Sequence, residues 1–141
     1  MAADTGRSSD LEVANRAWMT GRVDALFVPE WNKDTETFDA LVEATAMDLH
    51  TYVVQCNDRA YGDSRIRCPA KKAHKRDLLR VRGGELDDFN VGTIPFDRLR
   101  RFQSAAIPPT GPGEDYKPTP PGFVIADYRR ALPCRSSETE S

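Results

Sequence analysis

Three cysteines, two histidines, a serine pair and one dense basic run are the residues whose chemistry could define a function in this 141-residue chain. Cys56 follows the apolar run Tyr52-Val-Val-Gln55. As a nucleophile it would need a base in reach and a depressed thiol pKa. Asp58 is nearby in sequence and His50 and His74 are further off, none at a spacing that guarantees contact. A buried small hydrophobe accounts for Cys56 better, and Cys68, beside Pro69, and Cys134 carry no stronger signal. Ser8 and Ser9 lack a positioned base, and an unactivated hydroxyl is a poor nucleophile; helix capping explains them. His50 and His74 have no third ligand at metal-like spacing, so no metal site is expected. Gly83-Gly84 is not followed by Lys-Ser/Thr or an opening helix, so it is not a phosphate loop. No cofactor is implied.

Two other groups stand out. Glu30, Trp31 and Asn32 follow an apolar run at the C-terminal end of an expected buried strand, where open α/β sheets place ligands. There Glu30 could orient a substrate and Trp31 could wall a pocket; the competing reading is a polar loop with one anchoring aromatic. Residues 65–82 hold Arg65, Arg67, Lys71, Lys72, Lys75, Arg76, Arg80 and Arg82 against Asp77, a net charge of +7. Such a run could bind nucleic acid through a salt-dependent phosphate term. It contains no aromatic ring for base stacking, and a solvated loop between strands is the commoner origin of such a run.

The elements that must position these residues read as follows. Ser8 or Ser9 caps an expected helix carrying Leu11, Ala14 and Trp18, with Gly21 as its stop. Residues 23–29 form a short apolar strand. Asp34 or Thr35 caps a second helix whose core face is Phe38, Leu41, Val42, Thr45 and Leu49. Residues 51–56 are β-branched and aromatic, a second buried strand. Short strands are expected at 64–68, 78–82 and 89–94, and Asp97 caps a last helix with Leu99, Phe102 and Ala106. The order predicts an α/β layer with neighbouring strands followed by an antiparallel meander. Seven of the ten prolines fall in 108–141, a composition that favours extended chain over a packed core; only Phe123-Val124-Ile125 could pack there, as a short arm. The expected division is a flexible N-terminus over 1–8, a domain over 9–107 and a disordered proline-rich tail over 108–141. No apolar run approaches the length of a membrane span and the N-terminus has no signal-type apolar region. The cysteines are odd in number without CxxC spacing, so a reducing cytoplasm is the expected compartment.

Taken in order, Asp24-Ala-Leu-Phe-Val-Pro-Glu-Trp31, a helix, Tyr52-Val-Val-Gln-Cys-Asn57, Gly62-Asp-Ser64-Arg-Ile66-Arg-Cys-Pro69 and Val91-Gly-Thr-Ile-Pro-Phe-Asp97 resemble the second half of the carbon–nitrogen hydrolase (nitrilase) domain. That family reads an apolar strand ending near Pro-Ser-x-Trp, a helix, a strand ending in Asn, then G-x-S-x-I-x-x-P, which is complete here in Gly62, Ser64, Ile66 and Pro69. The chain departs from it at Thr45-Ala-Met-Asp-Leu49, where many members carry Arg-Ala-x-Glu-Asn, and at Glu30-Trp31-Asn32. In these details it is similar to a divergent nitrilase-like branch, some of it found as the C-terminal domain of bacterial antiphage reverse transcriptases.

The resemblance implies an α/β fold, an incomplete half of a nitrilase-like αββα sandwich, with Glu30, Trp31 and Asn32 bordering the pocket. Asn57, Gly62, Ser64 and Pro69 are motif residues that loop geometry explains structurally. The family's Glu base, Lys and Cys nucleophile all precede the strand matched by 23–29. Here no Cys precedes Cys56 and no Lys precedes Lys33, so no catalytic residue is assigned. Two readings stand: a truncated or degenerate hydrolase domain without activity by itself, or a binding module. The module would contact nucleic acid through 65–82, or pair with itself or with a chain supplying the missing half.

Overall fold

The structure, a computed structural model, describes residues 23–84, 89–105, 107 and 109–125. The expected N-terminal helix, Ser8, Ser9, Ala106 and Cys134 lie outside these residues. Four strands form one mixed sheet in chain order: β1 (Ala25–Pro29), β2 (Tyr52–Cys56), β3 (Ser64–Arg67) and β4 (Asp77–Val81). β1 and β2 are parallel, with Ala25 opposite Tyr52 and Pro29 opposite Cys56. A parallel pair needs a crossover, and α1 (Thr35–Leu49) supplies it. β2, β3 and β4 follow as antiparallel neighbours, with an irregularity between Ile66 and Arg67. A single 3₁₀ turn, Ala73–Lys75, joins β3 to β4, and α2 (Phe96–Ser104) closes the described order. The parallel layer followed by a meander is the arrangement expected above. No helix among the described residues is long and apolar enough to cross a membrane.

Local chemistry sets the ends of α1. The Asp34 carboxylate accepts the Thr37 N–H at 3.1 Å, satisfying one of the free donors of the first turn. At the other end His50 takes the left-handed conformation, φ 47°, and its N–H reaches back to the Ala46 carbonyl. α2 is different: its N-cap is Pro95, with no side-chain cap, and Asp97 sits in the first turn rather than capping. There it complements the positive end of the helix.

Strand alternation divides the sheet into two faces. On one, Val53 packs with Val42 and Ala46 of α1, and Leu26, Val28 and Phe38 complete the cluster. The buried residues of α1 are Val42, Ala46 and Met47, a stripe rotated from the expected Phe38, Leu41, Val42, Thr45 and Leu49. On the other face Tyr52, Cys68, Ala70, Leu99, Phe102, Tyr116 and Ile125 form a second cluster, with Ala25, Phe96 and Phe123 against it. The packed unit therefore does not stop at residue 107. Tyr116 is only 3% exposed and bridges to Ala70, and Lys71 N–H and Lys117 N–H donate across the same contact to Asp115 and Pro69. Through residue 125 the proline-rich stretch is a strap on the body, because two aromatic anchors and Ile125 find a hydrophobic seat despite the prolines around them.

The strand expected at 89–94 is absent from the described part of that segment. Residues 89–95 form no ladder, and Phe89 and Val91 are exposed. The segment runs over the sheet instead: a Cβ at Gly92 would meet Ile66 at 3.3 Å and Leu79 at 3.4 Å. Among the described residues, the edge of the second face at the ends of β1 and β2 is exposed. Phe27, paired with Val54, is 69% exposed, and Pro29 and Cys56 are exposed beside it.

Candidate functional site

The C-terminal ends of β1 and β2 bring the expected pocket residues together. Glu30 N–H continues the ladder to the Cys56 carbonyl at 2.8 Å. Its side chain is half-buried and takes a hydrogen bond from Gln55 Nε2 at 2.5 Å, and the same amide reaches Asp39 at 3.3 Å. Burial raises the Glu30 pKa, opposed by the Gln55 hydrogen bond and the charge of Arg65. Trp31 is 72% exposed and meets the Tyr61 ring at 6.0 Å between centroids. Asn32 is a loop-closing residue: its N–H donates to Asn57 Oδ1 at 3.0 Å and its own Oδ1 accepts the Asp34 N–H at 2.9 Å.

Asn57 is the hub of this edge. Its amide donates to the carbonyls of Asn32 and Gly62, both at 3.0 Å, and its N–H donates to Ser64 Oγ at 3.1 Å. Every one of these bonds holds a backbone turn, the structural role that loop chemistry assigns to such residues. Gly62, at φ +80°, occupies the left-handed region that favours glycine. Pro69 is buried, and its carbonyl accepts from Lys117.

The basic run is divided by the fold. Arg65 and Arg67 project from β3 beneath α1 and are buried. Arg65 pairs with Asp39, with Asp63 at 3.3 Å and with Asp77 at 3.9 Å, while Arg67 pairs with Glu43 at 2.8 Å and Asp77 at 3.1 Å. Burial and the neighbouring Arg67 charge pull Arg65 down to about 10, so it remains a cation at neutral pH. Arg76 pairs with Glu43, Lys75 with Asp115 at 2.6 Å and Arg80 with Asp63 at 2.7 Å. Five of the eight cations thus hold carboxylates of this chain, and Lys71, Lys72 and Arg82 face solvent. Asp39 and Glu43, which a hydrophobic reading of α1 leaves on its outer side, are the partners that seat the helix on a charged strand. Such buried pairs fix geometry more than they add stability.

The cysteines separate as well. Cys68 is buried and its thiol donates weakly to the Lys75 carbonyl at 3.5 Å. Burial pushes it up to about 11, which starves it of thiolate. Cys56, expected to be buried, is exposed, because it ends β2 on the open face. His50 is a packing residue: buried, stacked on Phe102 at 5.7 Å, with its Nε2–H donating to the Lys117 carbonyl at 2.9 Å. His74 is exposed in the 3₁₀ turn. Among the described residues no group of three or more His, Cys, Asp or Glu is placed to hold a metal ion.

Two concavities accompany these features. One of about 280 Å³ is lined by Tyr52, Cys68, Leu78, Arg98, Asp115 and Tyr116. Its two tyrosine hydroxyls share a hydrogen bond of 2.7 Å, and burial raises the pKa of both. The other, about 350 Å³, lies between the β2–β3 loop and the end of β4. No protein-family model matches the chain, and no curated protein or solved structure is significantly similar to it.

Proposed function

We propose that this chain is a nitrilase-like half-domain that acts as an assembly module rather than as a hydrolase by itself. The observation that carries the reading is the apolar edge of the sheet's second face, which α2 and the strap leave uncovered. α1 covers one face completely along β2, whereas the upper part of the opposite face, with Phe27, Pro29 and Cys56, lies open. In a nitrilase-like αββα sandwich that face is the inner one and seats a second sheet. The mixed four-stranded sheet with its parallel β1–β2 pair is compatible with the α/β class that the resemblance implies.

Neither described cysteine has the surroundings of a nucleophile. The thiol of Cys68 is buried and held high, and Cys56 has no hydrogen-bonded base among the described residues. Fully burying an exposed phenylalanine such as Phe27 is worth about 1.5–3 kcal/mol as an upper bound. In the isolated chain a second copy is the available cover. Sedimentation of the purified protein should therefore find self-association that Phe27→Glu abolishes. A compact monomer with a cooperative melt above about 60 °C would overturn the reading. So would hydrolysis of nitriles or amides that Cys56→Ala removes.

A further inference from the structure

The larger concavity joins parts of the chain that the sequence keeps apart. Gly62 and Gly83 meet backbone to backbone: a Cβ at Gly83 would fall 2.1 Å from the Arg59 carbonyl oxygen, and one at Gly62 would fall 2.8 Å from the Gly83 nitrogen. Only glycines permit this approach, and it draws Arg59, Tyr61, Arg80 and Arg82 around one opening. Asp63 is the carboxylate in that lining, and it is already engaged by Arg80 at 2.7 Å and Arg65 at 3.3 Å. Among the described residues of that lining, Arg80 and Arg82 stand against Asp63, a cationic excess even with Arg59 set aside.

Tyr61 belongs to this rim and to an aromatic platform beside it. Its ring meets the exposed Trp31 at 6.0 Å, and the Lys33 ammonium lies 5.6 Å over it. Read along the sequence, the basic run lacks aromatics; in the fold its last members stand next to Tyr61, which in turn meets Trp31. Guanidinium and ammonium groups beside an exposed Trp and a partly exposed Tyr form the combination that takes phosphate and stacks a base. An exposed Trp is also poorly explained by packing, since most of its ring covers nothing.

We propose that this cleft binds a nucleotide phosphate, free or within a single strand, with the phosphate against the exposed Arg82 and the base on Trp31. The site stands whether or not the open sheet face is covered.

Fluorescence anisotropy with a labelled oligothymidylate of about a dozen nucleotides tests it, with unlabelled UMP and inorganic phosphate as competitors. Binding should weaken with salt at a log–log slope of roughly −0.7 per phosphate contacted. Trp31→Ala should weaken it roughly fivefold or more, and Arg82→Glu by about tenfold or more. The double variant Lys71→Ala, Lys72→Ala, away from the cleft, should change it less than about twofold. Both replaced cleft side chains are exposed, and unchanged melts confirm that the variants fold. Oligonucleotide binding with UMP a weak competitor assigns the site to single strands; UMP binding without oligonucleotide binding assigns it to free nucleotide. The proposal is overturned if no probe binds, if Trp31→Ala and Arg82→Glu bind as the parent does, if the Lys71/Lys72 variant loses as much as Arg82→Glu, or if phosphate competes as well as UMP.

Discussion

Replacing Tyr116 by Ala tests whether the proline-rich strap is part of the core. Tyr116 is almost fully buried, with its ring 5.3 Å from that of Phe102 and the Arg98 guanidinium 5.3 Å over it. Truncating a buried aromatic to Ala costs about 3–5 kcal/mol. The Tyr52 hydroxyl also loses its 2.7 Å partner and keeps only a long contact of 3.4 Å to the Pro95 carbonyl, which adds about 1 kcal/mol. A domain of this size has about 5–15 kcal/mol in total, and each kcal/mol moves Tm by about 4–8 °C. Tyr116→Ala should therefore lower Tm by roughly 15–50 °C in a thermal melt followed by far-ultraviolet circular dichroism. Tyr116→Phe, which removes only the hydroxyl, should lower it by about 5 °C. A Tyr116→Ala protein melting within about 5 °C of the parent would refute the claim that residues beyond 107 complete the fold.

Two further outcomes follow from buried titratable groups. Burial lowers the His50 pKa from its ordinary 6.5, with the Lys117 carbonyl hydrogen bond opposing it; the folded state therefore favours neutral imidazole, and its stability contribution is present above pH 6.5 and lost as pH falls below it. Tm should fall between pH 6.5 and 5, with a shallower slope in His50→Asn, which tolerates the left-handed backbone; equal slopes would exclude His50 as the source. For the thiols, native protein treated with iodoacetamide at pH 8 should be alkylated at Cys56 and spared at Cys68. A rise from 9.0 to about 11 alone leaves Cys68 about a hundredfold less thiolate, and peptide mass mapping that finds the two labelled at equal rates would contradict its burial.

The strands and the Asp34 cap of α1 were legible because each is a local signal: β-branched runs, alternation, and a capping residue at the start of a periodic segment. Glu30 and Asn32 were legible as residues at a strand's C-terminal end, whereas their meeting with Asn57 depends on the parallel pairing of β1 and β2. What escaped the sequence depends on two elements at once. Asp39 and Glu43 look like solvent-facing residues until β3 sets Arg65 and Arg67 beneath them, and that charge match rotates the buried stripe of α1 toward Ala46 and Met47. Phe89 and Val91 have strand-like side chains, yet no strand pairs with them. Tyr116 was hidden by its neighbours, because composition averaged over a proline-rich stretch conceals a single anchoring ring. The nearness of Trp31 and Tyr61 to Arg82 was equally invisible, resting as it does on two glycines more than twenty positions apart.

The hydroxyl pair of Tyr52 and Tyr116 spans 64 positions, and the bond from His50 to Lys117 spans 67. At a synthesis rate of about 5–20 residues per second, the ribosome needs roughly 3–13 s to pass from one tyrosine to the other. β1, α1 and β2 can assemble as soon as they emerge, but the seat around Tyr52 stays wet until the strap has left the exit tunnel. During translation this protein therefore displays, for seconds, an aromatic surface that its finished form conceals.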